Sequence, residues 1–322
     1  MPPTINALNQ PPHDATITQS ALTRRAVFLV GAFALMMSVC IVAAAQSQKS
    51  RGASPPVATT AVAPPLLKRT TTRRETRRLG YGGTLTFYGA PDGSITVEAW
   101  ARNEVEVTAD LELQAATEDD LARLAAINNF TLDADGSHLT LLTSGTHDRK
   151  LLKRVAKDFP KRLLGLPWKI DYRVRVPAMI DLDLYAGRGA LNVAGVEGAI
   201  YINAGVGAAM FTLGGGDLSA TCAGGTVRLR VPTRNWRGRG VNLRLVSGDL
   251  SLELPPDFNA DIDATVLRAG RVINDYAGLR PRDDEPSDAR ALHARAGGGG
   301  TTLKFEVGDG TIRISQASAD KP

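Results

Sequence analysis

One phrase, repeated six times between Ile180 and Ala317, constrains this chain more than anything else in it. Each copy runs as apolar alternation, a glycine-bearing turn, and apolar alternation again. The copies are IDLDLYAGRGALNV (180–193), IYINAGVGAAMFTL (200–213), LSATCAGGTVRLRV (218–231), VNLRLVSGDLSLEL (241–254), DIDATVLRAGRVINDY (261–276) and TLKFEVGDGTIRI (302–314). In the fourth copy Val241, Leu243 and Leu245 alternate, and so do Leu250, Leu252 and Leu254. The third sets Leu218, Ala220 and Cys222 against Val227, Leu229 and Val231, and the sixth sets Leu303, Phe305 and Val307 against Ile312 and Ile314. Alternation of period two marks half-buried strands. Turn glycines Gly189, Gly207, Gly225, Gly248 and Gly270 recur at intervals of about 20 residues, the signature of stacked repeat architectures. One unit cannot bury its apolar face alone, so its neighbours must supply the core. Asp181, Asp183, Arg228, Arg230, Arg244, Glu253, Asp261 and Asp263 fall on the other parity, as a solvated outer face requires.

The fold class is therefore all-β, and two geometries satisfy the pattern. One is a β-solenoid of stacked coils. The other is an antiparallel β-sandwich or meander, because Ser247-Gly248 also reads as a two-residue hairpin turn.

Upstream of the repeats, Leu85 and Phe87, then Ile95, Val97 and Ala99, then Val105, Val107, Leu111 and Leu113 alternate in the same way. One covering helix is predicted at 117–130, TEDDLARLAAINNF. Thr117 is placed to cap it, Glu118, Asp119 and Asp120 suit its positive start, and Leu121, Leu124, Ile127 and Phe130 share a face. The basic segment Arg149–Lys169 carries Leu151, Leu152, Val155 and Phe159 at helical spacing. Pro160 then breaks it before a second apolar cluster of Leu163, Leu164, Leu166 and Trp168. It reads as a cap on the first coil or, alternatively, as a helix lying on anionic lipid.

The N-terminal quarter has a different composition. Residues 1–25 read as a disordered cytoplasmic tail ending in Arg24 and Arg25. Residues 26–45, AVFLVGAFALMMSVCIVAAA, are long enough to span a ~30 Å hydrocarbon core, and the preceding arginines orient the chain with its C-terminus outside. Ala43 and Ala45 also form a leader-type cleavage site, so the alternative is a secreted or periplasmic protein released near Ala45. Residues 46–79 read as a Pro/Thr/Arg-rich linker, 80–317 as the β-repeat domain and 318–322 as a short tail. The net charge of +5 belongs to the N-terminal segments: the first 80 residues hold the excess of Lys and Arg, whereas the remainder is slightly acidic. A nucleic-acid binder concentrates positive charge on its fold, so no nucleic-acid partner is expected.

The xG(D/R) turns followed by alternating apolar residues resemble the bacterial DUF4097, or putative adhesin, family. GSITVEAWARNEVEV (93–107), with Trp100, resembles that family's first unit, and Val176-Pro177 before Ile180-Asp181-Leu182 resembles its entry into the repeats. The resemblance covers roughly residues 80–317. It implies a right-handed β-helix-like solenoid and carries no catalytic residues with it.

The residues themselves offer no active site. Asp181, Asp183, Asp217, Asp249, Asp261 and Asp263 would form a stacked acidic set only if coils aligned them, and no motif fixes the ~5–10 Å separation of a glycosidase pair. GGGD (214–217) occurs once, where calcium-binding turns work in tandem. Gly297–Gly300 lacks the lysine and helix of a phosphate loop. Cys222 sits on the inward stripe, and His138 and His147 have no ligand spacing. No catalytic, cofactor or metal residue is assigned. The expected function is non-catalytic: an envelope-exposed module for adhesion, scaffolding or envelope-stress sensing. Its partner would be an envelope protein or polysaccharide, with membrane contact through 26–45 and through Arg149–Lys169. The alternative is a carbohydrate-active enzyme, a polysaccharide lyase or hydrolase on a β-helix scaffold. Carboxylates aligned across coils would favour the enzyme, and a mixed-charge face the module.

Overall fold

The repeated alternation forms strands, and within the repeats these strands pair in parallel. The structure, a computed structural model, describes residues 65–155, 159–282 and 287–317, all within one unit spanning residues 61–322. The tail at 1–25, the apolar segment 26–45, the linker as far as residue 64 and the tail at 318–322 lie outside the described residues. Among those described, no helix is long and apolar enough to cross a membrane.

The chain runs through β1 (Leu67–Arg78), β2 (Thr84–Tyr88), β3 (Ile95–Trp100), β4 (Glu104–Ala115), α1 (Glu118–Ile127), β5 (Asn129–Asp135) and β6 (His138–Ser144). It continues through α2 (Arg149–Val155), a 3-10 turn (Lys161–Leu163), β7 (Trp168–Pro177), β8 (Asp181–Ala186), β9 (Leu191–Ala194), β10 (Ala199–Thr212), β11 (Gly215–Arg230) and β12 (Arg237–Leu254). The last elements are β13 (Ala260–Asn274), β14 (Leu279–Pro281), β15 (Ala291–Ala296) and β16 (Thr302–Gln316). All the strands join one mixed sheet.

Each long strand has two legs joined at its glycine. In β12, Val241, Leu243 and Leu245 are buried on the first leg, and Leu250, Leu252 and Leu254 on the second. The inward set is odd-numbered before Gly248 and even-numbered after it. A straight strand cannot switch faces in that way, so the chain corners at Gly248, where φ is +135°. Both legs feed one core that runs from Leu79 to Ile314. The Ser247-Gly248 hairpin does not form, because the second leg turns the corner and pairs with β11 and β16 instead of folding back. Antiparallel pairing is found where β1, β4, β5, β14 and β15 join the sheet, which corrects the sandwich or meander alternative.

Glycine is required at these corners by its neighbours as well as by φ. A Cβ on Gly225 would fall 2.0 Å from the carbonyl oxygen of Gly207, and one on Gly248 would fall 1.8 Å from that of Gly225. The column continues through Gly310 to Gly270, again below 2 Å. The backbones touch at the corners, and no other side chain fits.

The stacking order departs from chain order at both ends. Strands β10, β11 and β12 stack in sequence, but β16 lies between β12 and β13. At the other end β2 lies between β6 and β8, and β3 lies between β7 and β9. Consecutive repeats are thus not always neighbours, which the sequence pattern alone did not reveal.

Part of the stretch read as linker is structural. β1 pairs along its whole length with β4, so strand structure extends back at least to Leu67, ahead of residue 80. Its Thr/Arg alternation is that of an edge strand whose cations meet acidic neighbours: Lys68 Nζ lies 2.9 Å from Glu112, Arg74 pairs with Glu106, and Arg69 with Glu118. Helix α1 forms within the predicted stretch, with the Thr117 hydroxyl accepting the Asp120 N–H at 3.2 Å. It ends at Ile127, however, and Phe130, predicted on its apolar face, lies on β5 and packs into the main core. The helix covers β4, and Leu121 and Leu124 join Leu113, Ala115 and Leu163 in a second, smaller core. The basic segment holds two separate pieces among its described residues, α2 over Arg149–Val155 and the 3-10 turn that follows Pro160. α2 has no buried residue, whereas Leu163, Leu166 and Trp168 close over the second core.

Leu245 and Arg244 are adjacent in sequence and opposite in environment. Leu245 is 1% exposed, whereas Arg244 points outward to Glu306, 2.8 Å away. Leu245→Ala is expected to cost about 2–5 kcal/mol and Arg244→Ala no more than about 1 kcal/mol. Equal losses for the two in denaturant melts would contradict this register.

Candidate functional site

The registers decide whether the outward carboxylates form a set. Asp183 stands opposite Thr86 on one side and Tyr201 on the other. Asp217 stands between Ala199 and Gly240, and Asp249 beside Thr226. Asp261 faces Thr302 and Arg295, and Asp263 faces Lys304 and His293. No two of the six acidic residues singled out in the sequence are partners in any of these pairings.

Many outward charges are instead matched across neighbouring strands. Arg228 lies 3.2 Å from Glu253, Arg295 lies 2.7 Å from Asp261, and Asp263 accepts from Arg282 at 3.1 Å with His293 Nδ1 also at 3.1 Å. Lys304 and then Arg244 hold the Glu306 carboxyl below its usual range, and Arg295 does the same for Asp261. A carboxyl with a depressed folded pKa stabilises above its unfolded value, and that contribution is lost as pH falls through the folded one. These ladders therefore support the fold at neutral pH and weaken in acid.

The outer face of the second legs holds two depressions. One, of about 100 Å³, is lined by Thr96, Glu98, Glu106, Thr108, Arg173 and Arg175. The other, of about 270 Å³, brings Asp249 together with Thr226, Ser251, Arg271, Thr311 and Arg313. Asp249 Oδ1 accepts the Thr311 N–H at 3.1 Å, and Arg313 is paired with Asp275. Asp249 is the sole carboxylate lining that groove.

The outer face of the first legs is different in character. Its positions read His138, Thr140 and Leu142 on β6, then Thr84, Thr86 and Tyr88 on β2, and Asp181, Asp183 and Tyr185 on β8. Ala199, Tyr201 and Asn203 follow on β10, and Asp217, Ser219 and Thr221 on β11. None of these is Lys or Arg, but the face continues onto β12 and β16, where Arg244 is in register with Thr221 and Lys304 with Asn242. Tyr88 and Tyr185 stack at 4.9 Å between ring centroids, nearly parallel at 12°. Tyr201 lies 5.8 Å from Tyr185 and tilts 56° away from it. Desolvation, and then its two tyrosine neighbours, raise the Tyr185 pKa. This row was legible in the alternation: Phe87, Leu184, Ile200 and Ile202 point inward, so Tyr88, Tyr185 and Tyr201 must point out.

The other residues singled out in the sequence are scattered over the molecule. Gly215 and Gly216 of the GGGD run are buried, and the Gly216 carbonyl accepts the Trp236 indole N–H at 3.0 Å. In the Gly297–Gly300 turn, the Gly298 N–H donates to Asn259 at 2.8 Å. Cys222 is buried, and burial pushes its thiol up to about 11. His138 Nε2 lies 3.1 Å from Thr86 Oγ1, and His147 packs on Trp168 at 5.4 Å. Among the described residues, no group of three or more His, Cys, Asp and Glu is placed to hold a metal ion.

No family model matches the chain, and no curated protein does. Its resemblance to the DUF4097 family rests on the quoted phrases alone. Among solved structures it is similar to a putative cell adhesion protein from Clostridium sporogenes, at 11% identity and a TM-score of 0.40, covering 77% of this chain and 100% of that one. It is also similar to a putative adhesin from Bacteroides fragilis, at 11% identity and a TM-score of 0.26, covering 77% and 97%. A putative lipid binding protein from Parabacteroides distasonis matches at 8% identity and a TM-score of 0.20, with the same coverage. Similarity of this order leaves fold and function to be argued from the chain's own residues.

Proposed function

We propose that the chain is a non-catalytic binding module of the cell envelope, a β-solenoid held outside the cytoplasm by the apolar segment 26–45 and used in adhesion, scaffolding or envelope-stress sensing. The observation that carries this reading is the register of the outer faces. The six carboxylates singled out in the sequence fall opposite hydroxyls, cations or small residues rather than one another. Where Asp110 and Asp171 do face each other, each is held by a cation, Arg173 and Lys169, so these surfaces suit recognition more than acid–base cleavage of a polymer. The arginines before residue 26 support the orientation.

The enzyme alternative would act in the groove where Asp249 meets Arg271 and Arg313, or in the depression where Glu98 and Glu106 lie with Arg173 and Arg175. Two measurements separate the readings. A cytoplasm-only reporter fused after Pro322 is expected to stay silent, and cells making the chain are expected to attach to envelope-derived surfaces better than cells without it. Asp249→Asn should leave attachment unchanged. A strong cytoplasmic reporter signal, or attachment that disappears with Asp249→Asn, would overturn the proposal.

A further inference from the structure

The first-leg face combines three outward tyrosines with small neutral hydrogen-bonding groups, and it contains a step. Tyr88 and Tyr201 are equally exposed, at 41%, but Tyr88 and Tyr185 stack, whereas Tyr201 tilts out of the stack. On the next rung its register partner is Ser219, followed by Asn242. Rungs are about 4.8 Å apart, so a large ring stands beside a side chain that rises far less above the sheet. The Tyr201 face on that side is a wall, and Ser219, Thr221 and Asn242, all exposed, form a floor beside it. Asn203 flanks the ring along its own strand.

A flat ring with apolar C–H groups on its face and hydroxyls around its rim fits that step. The face packs on the tyrosine, and the rim hydroxyls meet hydroxyl and amide groups able to donate and accept. Tyrosine with serine and asparagine gives rigid contact area together with adaptable hydrogen bonds. Charge narrows the class further. Asp181, Asp183 and Asp217 lie on this face, and the cations that border the floor, Arg239, Arg244 and Lys304, are each paired with a carboxylate, Asp217 at 3.6 Å and Glu306 at 2.8 and 3.0 Å, so the step offers an anionic polymer no unpaired cation. A second copy docked face to face would set these carboxylates against their own counterparts. We infer that the step between Tyr201 and the Ser219–Thr221–Asn242 floor binds the pyranose rings of a neutral polysaccharide. The inference rests on the reading of the chain as a binding module and names the ligand class of that module.

The test titrates the purified full-length chain, in mild detergent, with cellohexaose, maltohexaose and mannohexaose, with hexagalacturonate as the anionic arm. Saturable heat and a change in tyrosine fluorescence are expected with at least one neutral hexaose and not with hexagalacturonate. Tyr201→Ala is expected to weaken binding at least 10-fold while leaving the thermal melt unchanged, since the ring is outside the core. Arg228→Ala, on the second-leg face, should bind as the parent does. Silence with all three neutral sugars, binding of hexagalacturonate alone, or undiminished binding by Tyr201→Ala would overturn the inference. Cell attachment and reporter topology are read separately, so a wrong ligand class is distinguishable from a wrong module.

Discussion

Deleting residues 302–317 is expected to abolish the cooperative melt of the whole C-terminal half, although the cut removes only the last repeat. β16 is paired on both sides, with β12 and with β13. Its Leu303, Phe305, Val307, Ile312 and Ile314 are fully buried. Burial of such side chains stabilises by about 1.5–3 kcal/mol each, so together they match the roughly 5–15 kcal/mol net stability of a typical domain. Their loss also leaves β12 and β13 with open edges, and exposed apolar edges invite aggregation. Circular dichroism on heating would read the effect. A truncation after Ala317 serves as the control and should melt like the parent. A retained cooperative transition in the shorter chain would mean that β16 is an appendage.

Gly248→Ala is expected to cost at least about 3 kcal/mol, an outsized penalty for one methyl group. Two causes act together. The residue holds φ at +135°, which side chains avoid, and the new Cβ would fall 1.8 Å from the Gly225 carbonyl oxygen. The clash is with backbone, so no side-chain rotation relieves it, and separating β11 from β12 would break the ladder on either side. Gly80→Ala is the matched control, because Gly80 has open space around it and no positive φ. It should stay within about 0.5 kcal/mol. Comparable denaturant midpoints for the two variants would contradict the corner column.

Much of this architecture was legible in the sequence because alternation and glycine report local necessities. The inward sets of β11, β12 and β16 follow directly from period two, and the parity switch at Gly248 is visible as the step from Leu245 to Leu250. The cap at Thr117 was legible for the same reason, since capping chemistry is local. Pairing direction was not, because Ser247-Gly248 serves a hairpin as well as a corner. Stacking order was not legible either: apolar faces of β13 and β16 are equally suited to cover β12, and only long-range packing chooses. β1 was hidden by composition, because an edge strand saturated with arginine and threonine looks like a tether until β4 supplies its carboxylates. The tyrosine row could have been found by projecting the alternation outward as carefully as inward.

Methyl-to-methyl nuclear Overhauser contacts in the Ile/Leu/Val-labelled chain test the central claim, the insertion of β16 into the repeat stack, most directly. Ile312 is in register with Leu250 of β12 and with Val272 of β13, so Leu250 and Val272 are two rungs apart. With rungs about 4.8 Å apart, the account predicts strong contacts from Ile312 to both residues and none between Leu250 and Val272. A strong Leu250–Val272 contact, with Ile312 touching only one of them, would show that the repeats stack in chain order and would contradict it.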